Sequence, residues 1–118
     1  MTITSKLSPL GVLQFFEDDG TFLSGGKLIF KVAGSGTLAN TYQGYGLTTP
    51  HANPIILNSR GETAIASGVA TPVYLDPRVS YKIILARSTD DSTNPTDPFW
   101  TVDNVSISDI STLGSWLS

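Results

Sequence analysis

The sequence predicts an all-β domain, an antiparallel sandwich or barrel-like arrangement of short strands. Turn-forming groups of Gly, Asn, Asp, Ser and Pro recur about every ten residues along the chain. The runs between these groups are short and rich in β-branched and aromatic residues. Charged residues make up only 14% of the chain, whereas Ser and Thr together account for 28 of its 118 residues, a composition unlike that of a helical bundle.

The turn signals separate eight predicted strands within one domain, because 118 residues are too few for two ordinary cores. The predicted strands cover residues 12–17, 27–33, 38–43, 54–57, 63–66, 72–75, 79–87 and 99–105. We assign residues 1–107 to the β-rich domain and residues 108–118 to a C-terminal tail or neck.

The clearest alternation lies in the second predicted strand, where Leu28, Phe30 and Val32 share one face. The opposite face carries lysines at its ends and Ile29 in its middle, and Ile84 takes the same place in the strand at 79–87. Such a face is expected against a second sheet or another subunit. The alternative is one isoleucine per strand exposed by chance, since scattered apolar surface is common.

Residues 88–98 form an eleven-residue polar stretch with two prolines. A stretch of this composition predicts a long, mobile hairpin loop at the surface. It precedes Phe99, Trp100 and Val102, which we expect to supply bulk to the core. In the connector at 58–62, Arg60 and Glu62 are close enough in sequence to form a surface ion pair.

The tail predicts one or two turns of helix, because Ile110, Leu113 and Trp116 fall on one helical face after a capping residue at Ser108 or Asp109. So short a helix is marginal by itself in water. We therefore expect either that this apolar stripe meets its own copies across a symmetry axis or that the natural polypeptide continues.

Residues that could do chemistry are few. The single histidine, His51, lies in an extended connector between two prolines, which favours a structural or solvent-exposed role over a catalytic one. The acidic stretch at 17–20 lacks the alternating acceptors of a calcium loop and predicts a solvated hairpin end. With no cysteine and no nucleophile motif, we expect neither an enzyme nor a metal or cofactor site.

Charge and hydropathy limit the classes of partner that we expect for this chain. The net charge is −3 and the basic residues are scattered, which argues against nucleic-acid binding. The apolar runs are far shorter than the roughly 20 residues needed to span a bilayer. Five aromatic residues suit either sugar stacking or a sheet core: Tyr42, Tyr45, Phe99, Trp100 and Trp116. A carbohydrate-binding module would use the first two and Trp100.

Four ordered blocks resemble the N-terminal virion-anchor (head-binding) domain of tailspike and tail-fibre proteins from short-tailed bacteriophages. They read LSGGKLIFKVAGSGTLANTY at 23–42, LTTPHANPIILNSRGE at 47–62, YKIIL at 81–85 and FWTVDNV at 99–105. The resemblance covers about residues 22–106. Two departures are Ser35, where the family usually has Thr, and the loop at 88–98, which is longer than the expected tight turn. That loop is either a contact for a virion partner or surface variation.

The resemblance implies an all-β homotrimer, made in the bacterial cytoplasm, that attaches a tailspike or tail fibre to the phage tail or portal-proximal adaptor. Host recognition or polysaccharide cleavage then belongs to a separate β-helical part. We expect two surfaces to form the trimer or partner interface. One is the strand face that carries Ile29 and Ile84, and the other is the apolar stripe of the tail, Ile110, Leu113 and Trp116.

Two alternatives remain open at this stage. A standalone small adaptor or decoration protein of the virion is distinguished by a stop codon after Ser118. A carbohydrate-binding module is distinguished by glycan binding that is lost in Trp100→Ala.

Overall fold

The computed structural model describes residues 11–44 and 46–106. Within these ranges the chain contains no helix, and its strands form two antiparallel sheets, which confirms the all-β class. The strands are β1 (Lys27–Val32), β2 (Thr41–Tyr42), β3 (Ile55–Ile56), β4 (Tyr74–Leu75), β5 (Tyr81–Ala86) and β6 (Trp100–Val105).

The larger sheet has the strand order β3-β1-β5-β6, and the smaller one pairs β2 with β4. The β1–β5 ladder places Leu28 opposite Leu85 and Phe30 opposite Ile83. Directly opposed residues point to the same side of a sheet, so these four apolar side chains share one face. Ile29 lies opposite Ile84 on the other face, as the alternation predicts.

Two predicted strands, at 12–17 and 63–66, were wrong as regular strands. The first forms single bridges from Gln14 to Glu62 and from Phe16 to Phe22, and the second a bridge from Ala64 to Ala70. Turns at 17–20, 58–61 and 65–68 lie close to these bridges, so the ladders stay short. The predicted strands at 38–43, 54–57 and 72–75 are confirmed only as the two-residue strands β2, β3 and β4.

Both sheets contribute to one hydrophobic core. The face of β1 and β5 described above packs with Val73 and Leu75, which belong to the β4 side of the smaller sheet. The remaining buried members of the cluster are Leu13, Leu23, Ala39, Ile55, Leu57, Tyr81 and Val105. Burial of these side chains supplies the main favourable free energy of folding, about 1.5–3 kcal/mol for each large one.

Tyr81 ties the two sheets together through a polar contact inside this core. Its ring is fully buried and meets Phe30 edge to face, with ring centroids 6.1 Å apart. Its hydroxyl group donates a 2.6 Å hydrogen bond to the carbonyl oxygen of Asn40, before β2, and accepts one from the amide of Asp76, after β4. Burial raises the pKa of this hydroxyl group.

The second face of the large sheet lies beneath residues 88–98. Ile29 is 0% exposed and Ile84 is 6% exposed. Lys27 and Lys31 flank Ile29 on this face, and both side chains reach that loop, Lys27 at the carbonyl oxygen of Asp90 and Lys31 at Asn94. The loop therefore lies across the sheet instead of projecting from it. The interface predicted through Ile29 and Ile84 is thus covered by the chain itself in this structure.

The expectation that Trp100 and Val102 fill the core was wrong. Trp100 is 37% exposed and Val102 is 42% exposed, whereas Phe99 is partly buried against the core cluster. The reason is strand order, since β6 is the outermost strand and the core lies over β1 and β5. The predicted ion pair between Arg60 and Glu62 is confirmed, at 3.0 Å.

The predicted C-terminal helix and the site residues Ile110, Leu113 and Trp116 lie outside the described residues, as does Tyr45.

Candidate interaction surface

Strand β6 presents the most open surface of the large sheet. In the described part of the chain it pairs only with β5, and all its residues except Val105 are exposed. A β-bulge interrupts the ladder between Tyr81 and Ile83, and Asn104 on β6 has a positive φ of 59°. An edge strand of this kind leaves backbone hydrogen-bonding groups unpaired along one side, which makes it a surface on which another strand can add.

Apolar side chains lie beside this edge. The ring of Trp100 packs on Phe15, with centroids 6.1 Å apart and planes tilted by 56°. Val102 follows two residues later and therefore lies on the same side of the strand as Trp100. Together Phe15, Trp100 and Val102 form what we call the β6 patch, an apolar surface that the core only partly covers.

A second exposed aromatic pair lies on the hairpin at 16–22. The half-exposed rings of Phe16 and Phe22 are 5.7 Å apart at the base of the hairpin. Its tip is closed by Glu17 donating to the carbonyl oxygen of Thr21 and by Gly20, which has a φ of +89°. This arrangement confirms the hairpin end predicted for residues 17–20.

Asp19 organises the tip of the same hairpin. Its carboxylate accepts hydrogen bonds from the hydroxyl group and the amide of Thr21, at 2.7 and 3.0 Å. The first of these bonds is the larger cause of a lowered pKa for Asp19, because both favour the charged form. The side chain is thus engaged in shaping the turn.

The loop at 88–98 is shaped by its own aspartates. The carboxylate of Asp90 accepts from the amides of Thr96 and Asp97, at 2.9 and 3.0 Å, and from that of Asp91 at 2.8 Å. These amides lower the pKa of Asp90 to about 2, the Thr96 amide most strongly. The loop is therefore a preorganised surface feature with a defined shape.

The neighbouring aspartates fix the rest of this loop. Asp91 accepts from the amides of Thr93 and Asn94, at 2.9 and 2.6 Å. At the C-terminal end of the loop, Asp97 is held by Arg87, whose guanidinium group also lies 4.2 Å from the centre of the Phe99 ring. Each of the loop's three carboxylates is thus occupied within the chain.

His51 is buried and has a structural role. Its ring Nε2 lies 2.9 Å from the carbonyl oxygen of Pro72, and its amide donates to Thr41, so it connects the approach to β4 with β2. Burial lowers the pKa of His51, and the Pro72 contact opposes this effect only partly. A neutral ring donating through Nε2 fits this position, and the solvent-exposed alternative does not.

Two of the aromatic residues proposed for sugar stacking, Tyr42 and Trp100, belong to different sheets. Tyr42 belongs to the two-stranded sheet, whereas Trp100 belongs to the outer strand of the larger sheet, where its ring neighbour is Phe15. Phe15 was not singled out from the sequence as a surface residue. Phe15 and Phe16 are neighbours in a short extended segment, so their side chains point to opposite sides. This alternation could have indicated that two separate aromatic surfaces form here.

Comparisons with known proteins add no family assignment. No protein-family model matches the chain, and no curated protein matches it either. Among residues 11–44 and 46–106 no cluster of His, Asp or Glu side chains is arranged to hold a metal ion. The same residues include no helix long and apolar enough to span a membrane.

Proposed function

We propose that this chain is a non-enzymatic structural module of a bacteriophage virion, a homotrimer that attaches a tailspike or tail fibre to the phage tail or portal-proximal adaptor. The observation that carries the proposal is the order of the four sequence blocks. The first block contains β1 and β2, the second β3, the third most of β5 and the fourth β6, so every strand of the larger sheet is represented. The resemblance thus includes the strands of the larger sheet as well as turns.

The surface chemistry supports a role in assembly. Trp100 and Val102 of the β6 patch, together with the Phe16–Phe22 pair, are apolar and exposed on the single chain. Stable subunit interfaces bury roughly 800 Å² or more on each partner and are rich in aromatic side chains at their centre. We propose that the β6 patch contributes to the trimer interface together with Ile110, Leu113 and Trp116 of the tail.

The finer architecture belongs to the same proposal. Because the two sheets share one core, we expect a small sandwich rather than a closed barrel. The virion is the expected location, after synthesis in the bacterial cytoplasm.

The deciding measurement is the oligomeric state at micromolar concentration, by light scattering and native mass spectrometry. We expect a trimer, and a clean monomer would contradict the proposal. Trp100→Ala and Trp116→Ala should each raise the trimer dissociation constant by about tenfold or more, since truncation of a central aromatic costs roughly 1.4 kcal/mol or more. Val69→Ala is the matched control, because Val69 is exposed in a turn outside both regions.

A further inference from the structure

Backbone amides of the loop at 88–98 bond within the loop, whereas side chains attach the loop to the sheet. Its amides at Asp91, Thr93, Asn94, Thr96 and Asp97 all bond to carboxylates inside the loop. Its backbone amides make no hydrogen bond to β1, β5 or β6 in the part of the chain that the structure describes. The loop therefore keeps its shape through its own bonds, as compact surface loops do.

The attachments of the loop to the sheet beneath are made by side chains. Lys31 is 4% exposed, and its ammonium group donates a 2.9 Å hydrogen bond to Asn94 Oδ1. Lys27 donates to the carbonyl oxygen of Asp90. Both acceptors are neutral oxygens. The charge of Lys27 nevertheless acts on the nearby Asp91 carboxylate, whose pKa is lowered most by the amide of Asn94 and also by this charge.

Between these lysines lies a buried apolar part of the sheet face. Ile29 and Ile84 lie opposite each other in the ladder, and Ala86 lies on the same face and is fully buried. This face is separate from the main core, because none of the three belongs to the core cluster. Burial of this face and burial of the main core therefore involve different side chains.

We propose that residues 88–98 form a strap that opens as one unit while both sheets stay folded. Opening requires release of the Lys27 and Lys31 contacts. It leaves in place the Asp90 and Asp91 network and the contact of Arg87 with Asp97 at the base of the loop. It uncovers a face with two isoleucines among the lysines of β1 and β5. The closed strap keeps this apolar surface away from water and from non-specific association. The strap does not depend on the proposed role in the virion.

Thiol labelling tests the strap directly, because the chain contains no cysteine. Ala86→Cys places a thiol under the strap, and Ala39→Cys places one in the main core after a matched small-to-small change. Local opening exposes the first thiol alone, whereas global unfolding exposes both. We expect Ala86→Cys to react with a soluble disulfide reagent at least about tenfold faster than Ala39→Cys, after correction for each variant's unfolding free energy in urea.

Substitutions of Asn94 provide a second test of the strap. Asn94→Ala removes the acceptor of Lys31 and should speed labelling of Ala86→Cys severalfold, whereas Asn94→Asp adds an ion pair and should slow it. Neither change should alter labelling of Ala39→Cys. If Ala86→Cys does not fold, Ile84→Cys reports on the same face. Equal rates at the two sites, or equal responses to the Asn94 changes, would show that the loop opens only with the whole domain and would overturn the proposal.

Discussion

The hydroxyl group of Tyr81 donates to the carbonyl oxygen of Asn40 across 41 positions of sequence, at 2.6 Å. The same oxygen accepts from the amide of Asp76 at 3.0 Å. One buried side chain on the larger sheet thereby satisfies backbone groups on both sides of the smaller one. This polar contact joins the two sheets within a cluster that is otherwise apolar.

Tyr81→Phe should destabilise the fold, because it removes both hydrogen bonds and leaves two backbone groups without this partner. We expect a loss of about 1–3 kcal/mol in the free energy of unfolding, measured with urea. Tyr42→Phe is the control, since the Tyr42 hydroxyl makes no hydrogen bond among the described residues, and it should change stability by less than about 0.5 kcal/mol. Equal effects of the two changes would contradict the role given to Tyr81.

The side chain of Asn53 hydrogen-bonds to the backbone of β1, as a neighbouring strand would. Its Oδ1 accepts from the amide of Phe30, while its Nδ2 donates to the carbonyl oxygens of Phe30 and Ala39. Asn53→Ala should therefore cost about 2–4 kcal/mol of unfolding free energy, because three partly buried backbone contacts are lost at once. Asn40→Ala changes an exposed side chain of the same type and should be nearly neutral. A small effect at Asn53 would mean that water replaces its side chain.

Gly61 and Gly34 form a matched pair for the cost of close packing. Both have a φ of +71°, but a Cβ at Gly61 would lie 2.3 Å from the carbonyl oxygen of Phe15, whereas one at Gly34 would meet no atom within 4 Å. Gly34→Ala should cost about 1–2 kcal/mol from left-handed backbone strain alone. Gly61→Ala should cost at least about 2 kcal/mol more, because the obstructing atoms are backbone. Urea unfolding of both variants measures the difference, and equal losses would show that this segment shifts freely.

His51 should make stability depend on pH. Its pKa in the folded chain is lowered below the ordinary 6.5 by burial, so the unfolded chain binds more protons than the folded one in this range. The contribution is fully present above about pH 6.5 and is lost as pH falls from there towards the folded pKa. The unfolding free energy, measured at several pH values, should therefore decrease as the pH is lowered from 7.5 to 5.

His51→Gln is the control for this pH effect, because glutamine retains an N–H donor for the carbonyl oxygen of Pro72 and does not titrate. His51 is the one histidine in the chain, so the variant should show a flat profile across the same range. A profile that still falls below pH 6.5 in the variant would assign the effect to other groups.

Much of the frame could be predicted from local sequence pattern. Alternation in β1 and β5 indicated which residues share a face, and the ladder places Ile29 opposite Ile84 accordingly. The acidic hairpin end at 17–20 followed from its turn residues. Strand lengths were overestimated, because the number of residues that pair depends on a partner segment distant in sequence.

The candidate interaction surface was harder to predict from the sequence. Trp100 and Val102 have the composition of core residues, and nothing local reveals that their strand is outermost. Likewise, Lys31 and Asn94 are both ordinary surface residue types, yet they meet beneath the loop.

Local pattern was enough to indicate the all-β class and the two-sided character of the central strands, since side-chain alternation and turn chemistry act over a few residues. What covers each side of those strands became known from the folded arrangement. One face packs with the second sheet and the other lies beneath residues 88–98, because strand order and loop placement depend on long-range burial.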